Sequence, residues 1–552
     1  MSEFFANHRA VLDRALAALE SREFWTPFPE IPSGKIYGEA AKPEGEAAYA
    51  ALQGQAFALP GHPESHRVGA EVSPYGAELG ITYPAADPQT LIAAAHGAAE
   101  ALAASTPEAR VGALIEALLR LNKQSFLLGH ATMHTTGQAF PMAFQAGGPH
   151  AQDRGLEAVA MAWSEMTRFA SSAIWDKPQG KAAPLRLEKH WTLLPAGLAL
   201  TIGCNTFPTW NSYPGIFASL ATGNPVIVKP HPAAILPLAL TVRVLREVFA
   251  EAGLPQDAIL LAVDEPAAPI TKELATYPAV KLIDYTGSNA FGDWLRENAH
   301  QAQLFTEEAG VNTVTINGAP EFKAMCDNLA FALSLYSGQM CTSPQTIFVP
   351  KAGIETDEGH KSFDEVAAGL SEAIDRLLAD PARAAGVLGA IANPATLERV
   401  ETARSFGRVL RDSQNLDYGR SATPLLVVTE AGSTAAEQEC FGPVAFLVPA
   451  EDGDTAITDA ALLSKTKGAI TAALYDIDEA RMARAIRAFA GAGVNLSINL
   501  TGNIFVNQSA AFSDFHVTGA NPAGNASLTD TAFVASRFRR VMWRRQIGTT
   551  TS

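Results

Sequence analysis

The segment LALTIGCNTFPTWNSYPGIFASLATGNPVIVKP, residues 198–230, decides the fold of this chain. It consists of a short apolar run, a helical pattern that ends at Gly223, and a second apolar run, PVIVK. The alternation continues with a helical pattern over about residues 236–252, which Gly253 stops, and with the apolar runs AILLAV and VKLIDYTGS. Strand–helix–strand repetition at this spacing predicts a parallel sheet with right-handed crossovers, of the doubly wound α/β class that binds nucleotides at the carboxyl ends of its strands.

Length and composition are those of a globular protein. The 552 residues are enough to bury more than one core. Hydrophobic residues make up 47% and charged residues 18%, which is too apolar for a mainly disordered chain. The formal net charge of −16 argues against a nucleic-acid-binding protein. The four cysteines form no CxxC pair, which indicates a reducing compartment and argues against a disulfide framework or a zinc ribbon.

No segment has the pattern of a signal peptide or of a membrane span. The first 25 residues mix acids and bases among their apolar positions and lack the basic start and unbroken apolar core of a signal peptide. Residues 190–228 contain no Asp, Glu, Lys or Arg, but prolines and asparagines interrupt them. We therefore expect a soluble, cytoplasmic protein with no membrane contact.

The first 200 residues carry weaker signals. An opening amphipathic helix leads into a stretch rich in glycine, proline and alanine, so residues 1–85 are expected to form an irregular lead-in. Residues 88–124 have apolar positions at spacings of three and four, and the sequence STPE at 105–108 supplies a helix cap and a first-turn proline. Residues 175–192 alternate in the manner of a β-hairpin.

Two residues are candidates for catalysis. Cys341 lies in SLYSGQMCTSPQ, among glycine and small polar residues, which favours a loop where backbone N–H groups lower the thiol pKa and hold an oxyanion. Glu307 precedes it by 34 residues in LFTEEAGVNTVTI, and a carboxylate in such apolar surroundings can keep a raised pKa and act as a general base. The residues alone also allow a plain buried cysteine at 341, and at 307 they favour a helix-capping or solvated acid.

Six segments occur in an order that is typical of one family. They are CNTFPTWNSYP, ATGNPVIVKP, YTGSNAFG, TEEAG, SGQMC and EQECFGPV. On these motifs, about residues 85–545 resemble the NAD(P)-dependent aldehyde dehydrogenase superfamily, in which the interval from Glu307 to Cys341 is also usual. The CNTFPTWN and KPHP variants and the long lead-in are most similar to the branch associated with aerobic phenylacetate degradation.

The resemblance implies an aldehyde dehydrogenase-like α/β fold in three parts. These are a Rossmann-like cofactor domain, an α/β catalytic domain and a small β oligomerisation arm, and the arm implies a homodimer or a homotetramer. The expected bounds are 1–85 for the lead-in, 86–174 and 195–307 for the cofactor domain, 308–505 for the catalytic domain, and 175–194 with 506–552 for the arm.

The resemblance also implies catalytic roles. Cys341 is expected to be the nucleophile and Glu307 the base that activates water. In the family an asparagine usually stands directly before the Phe-Pro of the first motif and helps to bind the oxyanion. Here Thr206 stands at that position and Asn205 precedes it. The side-chain oxyanion donor is therefore Asn205 or Thr206, together with the N–H of Cys341.

NADP or NAD is the cofactor that the resemblance implies. Three residues after the ribose lysine, NAD-preferring members commonly carry a glutamate, and this chain has Pro232. A 2′-phosphate therefore meets no repulsion there, and NADP is expected to be preferred. The implied cofactor contacts are Lys229 at the adenosine ribose, Gly287 and Ser288 at the pyrophosphate, and Glu439 and Phe441 at the nicotinamide ribose and ring.

The implied reaction converts an aldehyde to its carboxylic acid through a thiohemiacetal and a thioester on Cys341. The resemblance suggests a semialdehyde from aromatic ring cleavage as the substrate, either free or as a CoA thioester. Two alternatives stay open. One is a CoA-acylating enzyme, against which the presence of Glu307 counts. The other is a non-catalytic binding protein on the same fold, against which the retention of both residues counts.

Two further groups of residues could indicate ligands. His130 and His134 are spaced like metal ligands on a helix, but no HExxH pattern accompanies them, so a structural role and no metal site are expected. The other group is a basic run near the C-terminus, which we expect to be a subunit contact or a solvated face. Its members are Arg537, Arg539, Arg540, Arg544 and Arg545.

Overall fold

The computed structural model is an α/β protein built on two mainly parallel sheets, which confirms the expected fold class. One sheet has five strands and the other has seven. In the part of the chain that is described, no helix is long and apolar enough to cross a membrane. The structure describes residues 3–308, 310–430, 432–505, 512 and 516–548.

The first 85 residues pack against the rest of the molecule. The opening amphipathic helix buries Phe5 and Leu12. The glycine- and proline-rich stretch, expected to be irregular, contains a regular helix. Its sequence AKPEGEAAYAAL is rich in the strong helix formers Ala and Glu, and its proline lies in the first turn, where proline is tolerated. Tyr49 on that helix stacks on His130 and His134. The elements are α1 (Glu3–Ser21), α2 (Gly34–Tyr37), α3 (Ala41–Leu52), β1 (His66–Val68) and β2 (Tyr83–Ala85).

Helices cover the expected range 88–124 and continue, beyond that expectation, to residue 167, and the expected hairpin follows. The elements are α4 (Pro88–Ala104), α5 (Pro107–Lys123), α6 (Ser125–Thr136), α7 (Phe140–Gly147), α8 (Pro149–Thr167), β3 (Ser172–Gln179) and β4 (Ala182–Pro195). Thr106 caps α5 by accepting the N–H of Ala109 at 3.1 Å, which confirms the helix start inferred from STPE. His130 and His134 on α6 pack as aromatic rings against Tyr49.

The first sheet contains every strand expected between residues 198 and 288. Its elements are β5 (Leu198–Ile202), α9 (Pro208–Ala221), β6 (Val226–Lys229), α10 (Leu236–Glu251), β7 (Ile259–Leu261), α11 (Thr271–Thr276), β8 (Val280–Gly287), α12 (Asn289–Asn298) and β9 (Gln303–Glu308). The strands are parallel in the order β7-β6-β5-β8-β9, so the LALTI run is central. The carboxyl ends of β5, β8 and β9 form one edge.

The second sheet begins directly after β9. Its region comprises β10 (Thr313–Ile316), β11 (Gly318–Ala319), α13 (Phe322–Ser334), β12 (Thr346–Pro350), β13 (Ile354–Thr356), β14 (Gly359–Lys361), α14 (Phe363–Leu378), α15 (Pro381–Leu388), α16 (Ala395–Ala403), β15 (Arg408–Arg411), β16 (Leu425–Val428), β17 (Val444–Ala450), α17 (Gly453–Lys467), β18 (Thr471–Tyr475), α18 (Glu479–Gly491) and β19 (Asn495–Ile498). The seven-stranded order is β15-β16-β17-β12-β10-β18-β19, and β15 is antiparallel to its neighbour.

The C-terminal segment returns to the first sheet and ends in an exposed three-stranded arm. It contains α19 (Ala532–Ala535) and β20 (Phe538–Gln546). Gly524 forms an isolated antiparallel β-bridge with Glu307 at the end of β9. Strand β20 then pairs with β4 of the β3–β4 hairpin, and the outer strands expose Trp175, Met542 and Trp543.

Arg537, at the start of the basic run, is buried rather than exposed, so the expectation of a surface role is wrong for this residue. Its guanidinium pairs with the Asp284 carboxylate at 2.6 Å and lies 4.0 Å from the centre of the Phe305 ring. A buried carboxylate on β8 requires a cation, and the C-terminal segment supplies it.

Candidate active site

Cys341 follows a left-handed turn that brings it to the junction of the two sheets. Tyr336, Ser337 and Gly338 adopt φ values of 53°, 50° and 63°. The Ser337 hydroxyl donates to two carbonyls of neighbouring loops at 3.1 Å each, which holds a conformation that is costly for a residue other than glycine. A Cβ at position 338 would lie 2.3 Å from the carbonyl oxygen of Gly442, so glycine is required there.

Asn312 fastens the cysteine loop to the second sheet. Its Nδ2 donates to the carbonyls of Cys341 and Ser343 at 2.7 and 3.0 Å. Its Oδ1 accepts the N–H groups of Ile470 and Thr471 at 2.9 and 3.0 Å. Because this buried amide bonds to both sides, the loop that carries the thiol is held rigidly.

The carboxylate of Glu307 is held beside the thiol, so the structure brings together the two residues that the sequence selected. Its Oε1 lies 3.9 Å from Cys341 Sγ. The same oxygen accepts the Nδ2–H of Asn211 at 2.7 Å and lies 2.8 Å from Nε2 of His516. The site is therefore a cluster of four side chains from four separate parts of the chain.

The pKa values of Cys341 and Glu307 are shifted in the directions opposite to those expected from the sequence. Burial raises the pKa of the Cys341 thiol well above its usual range, and the Glu307 carboxylate adds to this, so a lowered thiol pKa is not found. Burial alone would raise the pKa of Glu307, but His516, Arg154 and Asn211 together lower it. A protonated thiol thus lies beside an ionised carboxylate, which suits removal of the thiol proton by a base.

Glu308, the adjacent acid, has a different partner. Its carboxylate is buried and pairs with Arg296 of α12 at 2.6 Å. It also lies against Gly292, where a Cβ would approach it to 2.4 Å. Glu308 is therefore engaged in packing α12 on the sheet, and Glu307 is the member of the pair that lies beside the thiol.

A cavity of 550 Å³ extends from Cys341 over the carboxyl ends of the first sheet, and we call it the cofactor chamber. Its position is the one at which open α/β sheets bind nucleotides. Ser288 in its wall caps α12 by accepting the N–H of Phe291. The residues of the wall that were expected to bind the cofactor are Gly287, Ser288, Glu439 and Phe441.

Lys229 does not line the cofactor chamber. Its ammonium group is buried, pairs with Asp264 at 2.7 Å and donates to the carbonyl of Pro230 at 2.7 Å. Burial lowers the pKa of Lys229, and the ion pair with Asp264 offsets part of that effect. His231, two residues further on, lies in the chamber wall instead. The contact between Lys229 and the ribose stays a prediction.

Both candidate oxyanion donors lie in the chamber wall, on the loop after β5. The Thr206 hydroxyl lies 3.9 Å from Cys204 Sγ, and its carbonyl accepts from Gln138 at 2.8 Å. The Oδ1 atom of Asn205 is buried, and no described residue donates a hydrogen bond to it. An unpaired buried amide oxygen in this wall fits a bound ligand with a polar donor. Only the Nδ2–H group of Asn205 or the hydroxyl of Thr206 could donate to an oxyanion, so both residues stay candidates.

A second cavity, of 380 Å³, reaches Cys341 from the opposite side, and we call it the apolar cavity. The rings of Phe331 and Phe505 stack in its wall with centroids 4.0 Å apart. Its wall includes no lysine or arginine among the described residues, and the sequences of 506–511 and 513–515 contain none. Its apolar side chains include Met142, Phe207, Trp210, Leu335, Met340 and Val387.

The sequence analysis missed His516, Asn211 and Asn312. Asn211 lies within the quoted CNTFPTWN motif, so its position was a usable signal. His516 carries no motif and comes 209 residues after Glu307, so nothing local marks it. Ligand atoms of Glu307, Cys341 and His516 all lie within 4.8 Å of one another, and such a set could hold a soft divalent metal. The hydrogen bond between His516 and Glu307 already explains why these two side chains lie close together.

Comparison with known proteins points to one family. A model of the aldehyde dehydrogenase family matches residues 63–523. The crystal structure of an NAD-dependent aldehyde dehydrogenase from Burkholderia multivorans is 50% identical, with 100% of both chains covered and a TM-score of 0.98. A 1-pyrroline-5-carboxylate dehydrogenase from Thermus thermophilus is 18% identical with a TM-score of 0.75, covering 95% of this chain and 99% of that one, which shows a shared fold.

Curated relatives match over a shorter length. A 1-pyrroline-5-carboxylate dehydrogenase of Bacillus subtilis is 25% identical over 342 residues, 59% of this chain and 62% of the relative. An α-ketoglutaric semialdehyde dehydrogenase of Azospirillum brasilense is 27% identical over 329 residues, 57% of this chain and 60% of the relative. The chain thus spans less than two thirds of the length of these relatives.

Proposed function

This chain belongs to the aldehyde dehydrogenase family, and we propose that it oxidises an aldehyde to a carboxylic acid, with NAD or NADP as the hydride acceptor. One observation carries the proposal. The Cys341 thiol lies 3.9 Å from the Glu307 carboxylate at the point where the cofactor chamber and the apolar cavity meet. A nucleophile, a base and two binding spaces therefore converge on one sulfur atom.

In the proposed reaction Glu307 takes the proton of the Cys341 thiol, and the thiolate forms a bond with the aldehyde carbon. The resulting oxyanion accepts hydrogen bonds from the Cys341 N–H and from the Nδ2–H of Asn205 or the hydroxyl of Thr206. Loss of hydride from this intermediate leaves a thioester on Cys341, and Glu307 releases the proton that it took from the thiol to solvent. Water then attacks the thioester carbon and gives a proton to Glu307. The C–S bond breaks, the acid is released, and Glu307 returns this proton to the Cys341 thiolate.

The cofactor chamber is proposed to hold the dinucleotide, which supplies the hydride acceptor when bound. Gly287 and Ser288 at the start of α12 would bind its pyrophosphate, and Glu439 and Phe441 would hold the nicotinamide end near Cys341. Pro232 supports NADP as the preferred cofactor, whereas the 50% identical Burkholderia structure is described as NAD-dependent. The ratio of kcat/KM values for the two cofactors decides between them.

We propose a semialdehyde from aromatic ring cleavage, linked to CoA, as the physiological substrate, consistent with the likeness to the phenylacetate branch. The described wall of the apolar cavity has no lysine or arginine, and Nε2 of its His150 lies 2.8 Å from the Glu30 carboxylate, so a free carboxylate at the far end of a substrate would find no cation that is not already paired. A thioester is uncharged at that position. The cavity therefore favours the CoA-linked form over the free acid.

Two other functions are less well supported. In a CoA-acylating enzyme, a thiol rather than water takes the acyl group, and the ionised Glu307 beside Cys341 is suited to water. A non-catalytic binding protein would not need a carboxylate within 3.9 Å of a thiol. The exposed apolar residues of the β3–β4–β20 arm support a homodimer or a homotetramer, which light scattering of the purified protein measures.

The test is a panel of neutral, carboxylated and CoA-linked aldehydes with NAD and with NADP, followed by absorbance of the reduced cofactor. Mass spectrometry of the products separates the acid from the acyl-CoA. We expect cofactor reduction, acid as the product, and no reaction with the Cys341→Ala protein. Turnover that survives this substitution, or the absence of turnover with every aldehyde, would contradict the proposal.

A further inference from the structure

The proposed reaction leaves one side chain of the cluster without a role. Nε2 of His516 lies 2.8 Å from Oε1 of Glu307, across 209 residues of sequence. The imidazole is buried, at 4% exposure, and also lines the apolar cavity. His516 therefore contacts Glu307, which lines the cofactor chamber, and also lines the apolar cavity, which is the space proposed for the substrate.

One carboxylate oxygen of Glu307, Oε1, contacts the surrounding side chains. Oε1 accepts the Nδ2–H of Asn211 at 2.7 Å and lies within hydrogen-bond distance of His516. Oε1 is also the carboxylate oxygen that lies 3.9 Å from Cys341 Sγ. The two neighbouring donors therefore hold the oxygen that faces the thiol.

His516 is itself held in place by a stack of side chains. Its ring meets the Trp210 ring edge-on, with centroids 4.6 Å apart and an angle of 74°. The Arg154 guanidinium lies 3.7 Å from the centre of the Trp210 ring and donates to the Trp210 carbonyl at 3.1 Å. The Nδ1 atom of His516 is buried without a described partner, so the favoured tautomer carries its proton on Nε2, facing the carboxylate.

We propose that His516 is a positioning residue for the reaction given under Proposed function, on which this inference rests. Its Nε2–H donates to Oε1 of Glu307 and so fixes the carboxylate beside the Cys341 thiol. Trp210 and Arg154 hold the imidazole in that orientation.

The arrangement has an electrostatic consequence. Burial raises the pKa of Glu307, and the contact with His516 is the largest of the effects that lower it. Loss of His516 therefore raises the pKa of Glu307, so the carboxylate is protonated at a higher pH and the acid limb of the rate profile moves upward. Among the described residues, the titratable or charged groups that line cavities together with His516 are Arg22, Glu30, His150, Arg154, Glu157 and Cys341. Those that line cavities together with Glu307 also include Cys204, His231, Asp284, Tyr285, Glu308, Arg399 and Glu439.

Two substitutions of His516 separate the contribution of its N–H group from that of its aromatic ring. His516→Phe keeps an aromatic ring against Trp210 but removes the donor, and His516→Gln offers an N–H at a similar reach. The matched control is His8→Phe, because Nε2 of His8 binds Glu116 at 2.6 Å beside the ring of Phe4, in the N-terminal helix. The measurements are kcat as a function of pH, acyl-enzyme accumulation by intact mass, and thermal unfolding.

For His516→Phe we expect kcat to fall by about 10-fold to 100-fold and the acid limb to move up by about one pH unit. His516→Gln should recover most of the lost kcat and most of the shift of the acid limb. His8→Phe should change neither kcat nor the acid limb. In the wild-type protein, ¹⁵N NMR of the histidines should show His516 protonated on Nε2, a readout that does not depend on how the variants fold.

Three outcomes would overturn the role of His516. They are an unchanged acid limb in His516→Phe, equal impairment of His516→Gln and His516→Phe at wild-type melting temperature, and a wild-type His516 without a proton on Nε2. A wild-type enzyme that reduces no cofactor with any aldehyde would instead contradict the proposed function. The two failures are therefore distinguishable.

Discussion

Replacing Gly338 by alanine is expected to disable catalysis while leaving the fold intact. Gly338 has φ +63°, and the left-handed conformation costs about 1–2 kcal/mol for a residue with a Cβ. The new Cβ would also lie 2.3 Å from the Gly442 carbonyl oxygen, a distance that Cβ atoms essentially never show. Either the loop of Cys341 or the loop of Phe441 must therefore move.

The size of the effect follows from what these loops carry. Cys341 comes three residues after Gly338, and Phe441 comes directly before Gly442, so the clash displaces the nucleophile relative to the proposed nicotinamide site. A misplacement of about 1 Å can cost about 100-fold in rate. We expect kcat of Gly338→Ala to fall by about that factor, with a loss of about 1–3 kcal/mol in the free energy of unfolding.

Gly253→Ala is the matched control. Gly253 has φ +69°, but no atom lies within 4 Å of its Cβ position. It should lose about 1 kcal/mol of unfolding free energy in urea and keep wild-type kcat. If Gly338→Ala also keeps wild-type kcat, or if the two variants lose the same activity, the close approach of the two loops does not position the site and the reasoning is refuted.

Three further predictions concern the chemistry directly. Cys341→Ala should abolish oxidation and retain cofactor binding, whereas Cys326→Ala, which removes a buried thiol of α13, should remain active. The reverse pattern would refute the assignment. Glu307→Gln should slow the burst of reduced cofactor and lower the steady rate by about 10²–10⁴-fold, because Glu307 is proposed to deprotonate both the thiol and the water. A burst of wild-type rate in rapid mixing, followed by slow steady turnover, would show that Glu307 acts on the water alone. Pro232→Glu should shift the ratio of kcat/KM values for the two cofactors toward NAD. A wild-type kcat/KM for NAD more than about tenfold above that for NADP, roughly 1.4 kcal/mol, would contradict the expected NADP preference.

The sequence by itself determined the α/β class, the strands of the first sheet and the arm hairpin. The spacing of apolar residues is enough to predict these elements, because apolar residues recur wherever a strand or helix face is buried, as they do between residues 198 and 288. Glu307 and Cys341 were candidates on their residue types, but these types also allowed a buried cysteine and a capping or solvated acid. The family likeness then connected the two segments.

Tertiary structure alone decided what surrounds those two residues. His516 meets Glu307 across 209 residues, and Arg537 meets Asp284 across 253, so no local pattern could have marked either pair. Lys229 ends a predicted strand, yet its burial against Asp264 depends on how neighbouring strands pack. The pKa directions of Glu307 and Cys341 were misjudged for the same reason. A pKa depends on the groups that folding brings within a few ångströms, and the sequence around a residue does not contain them.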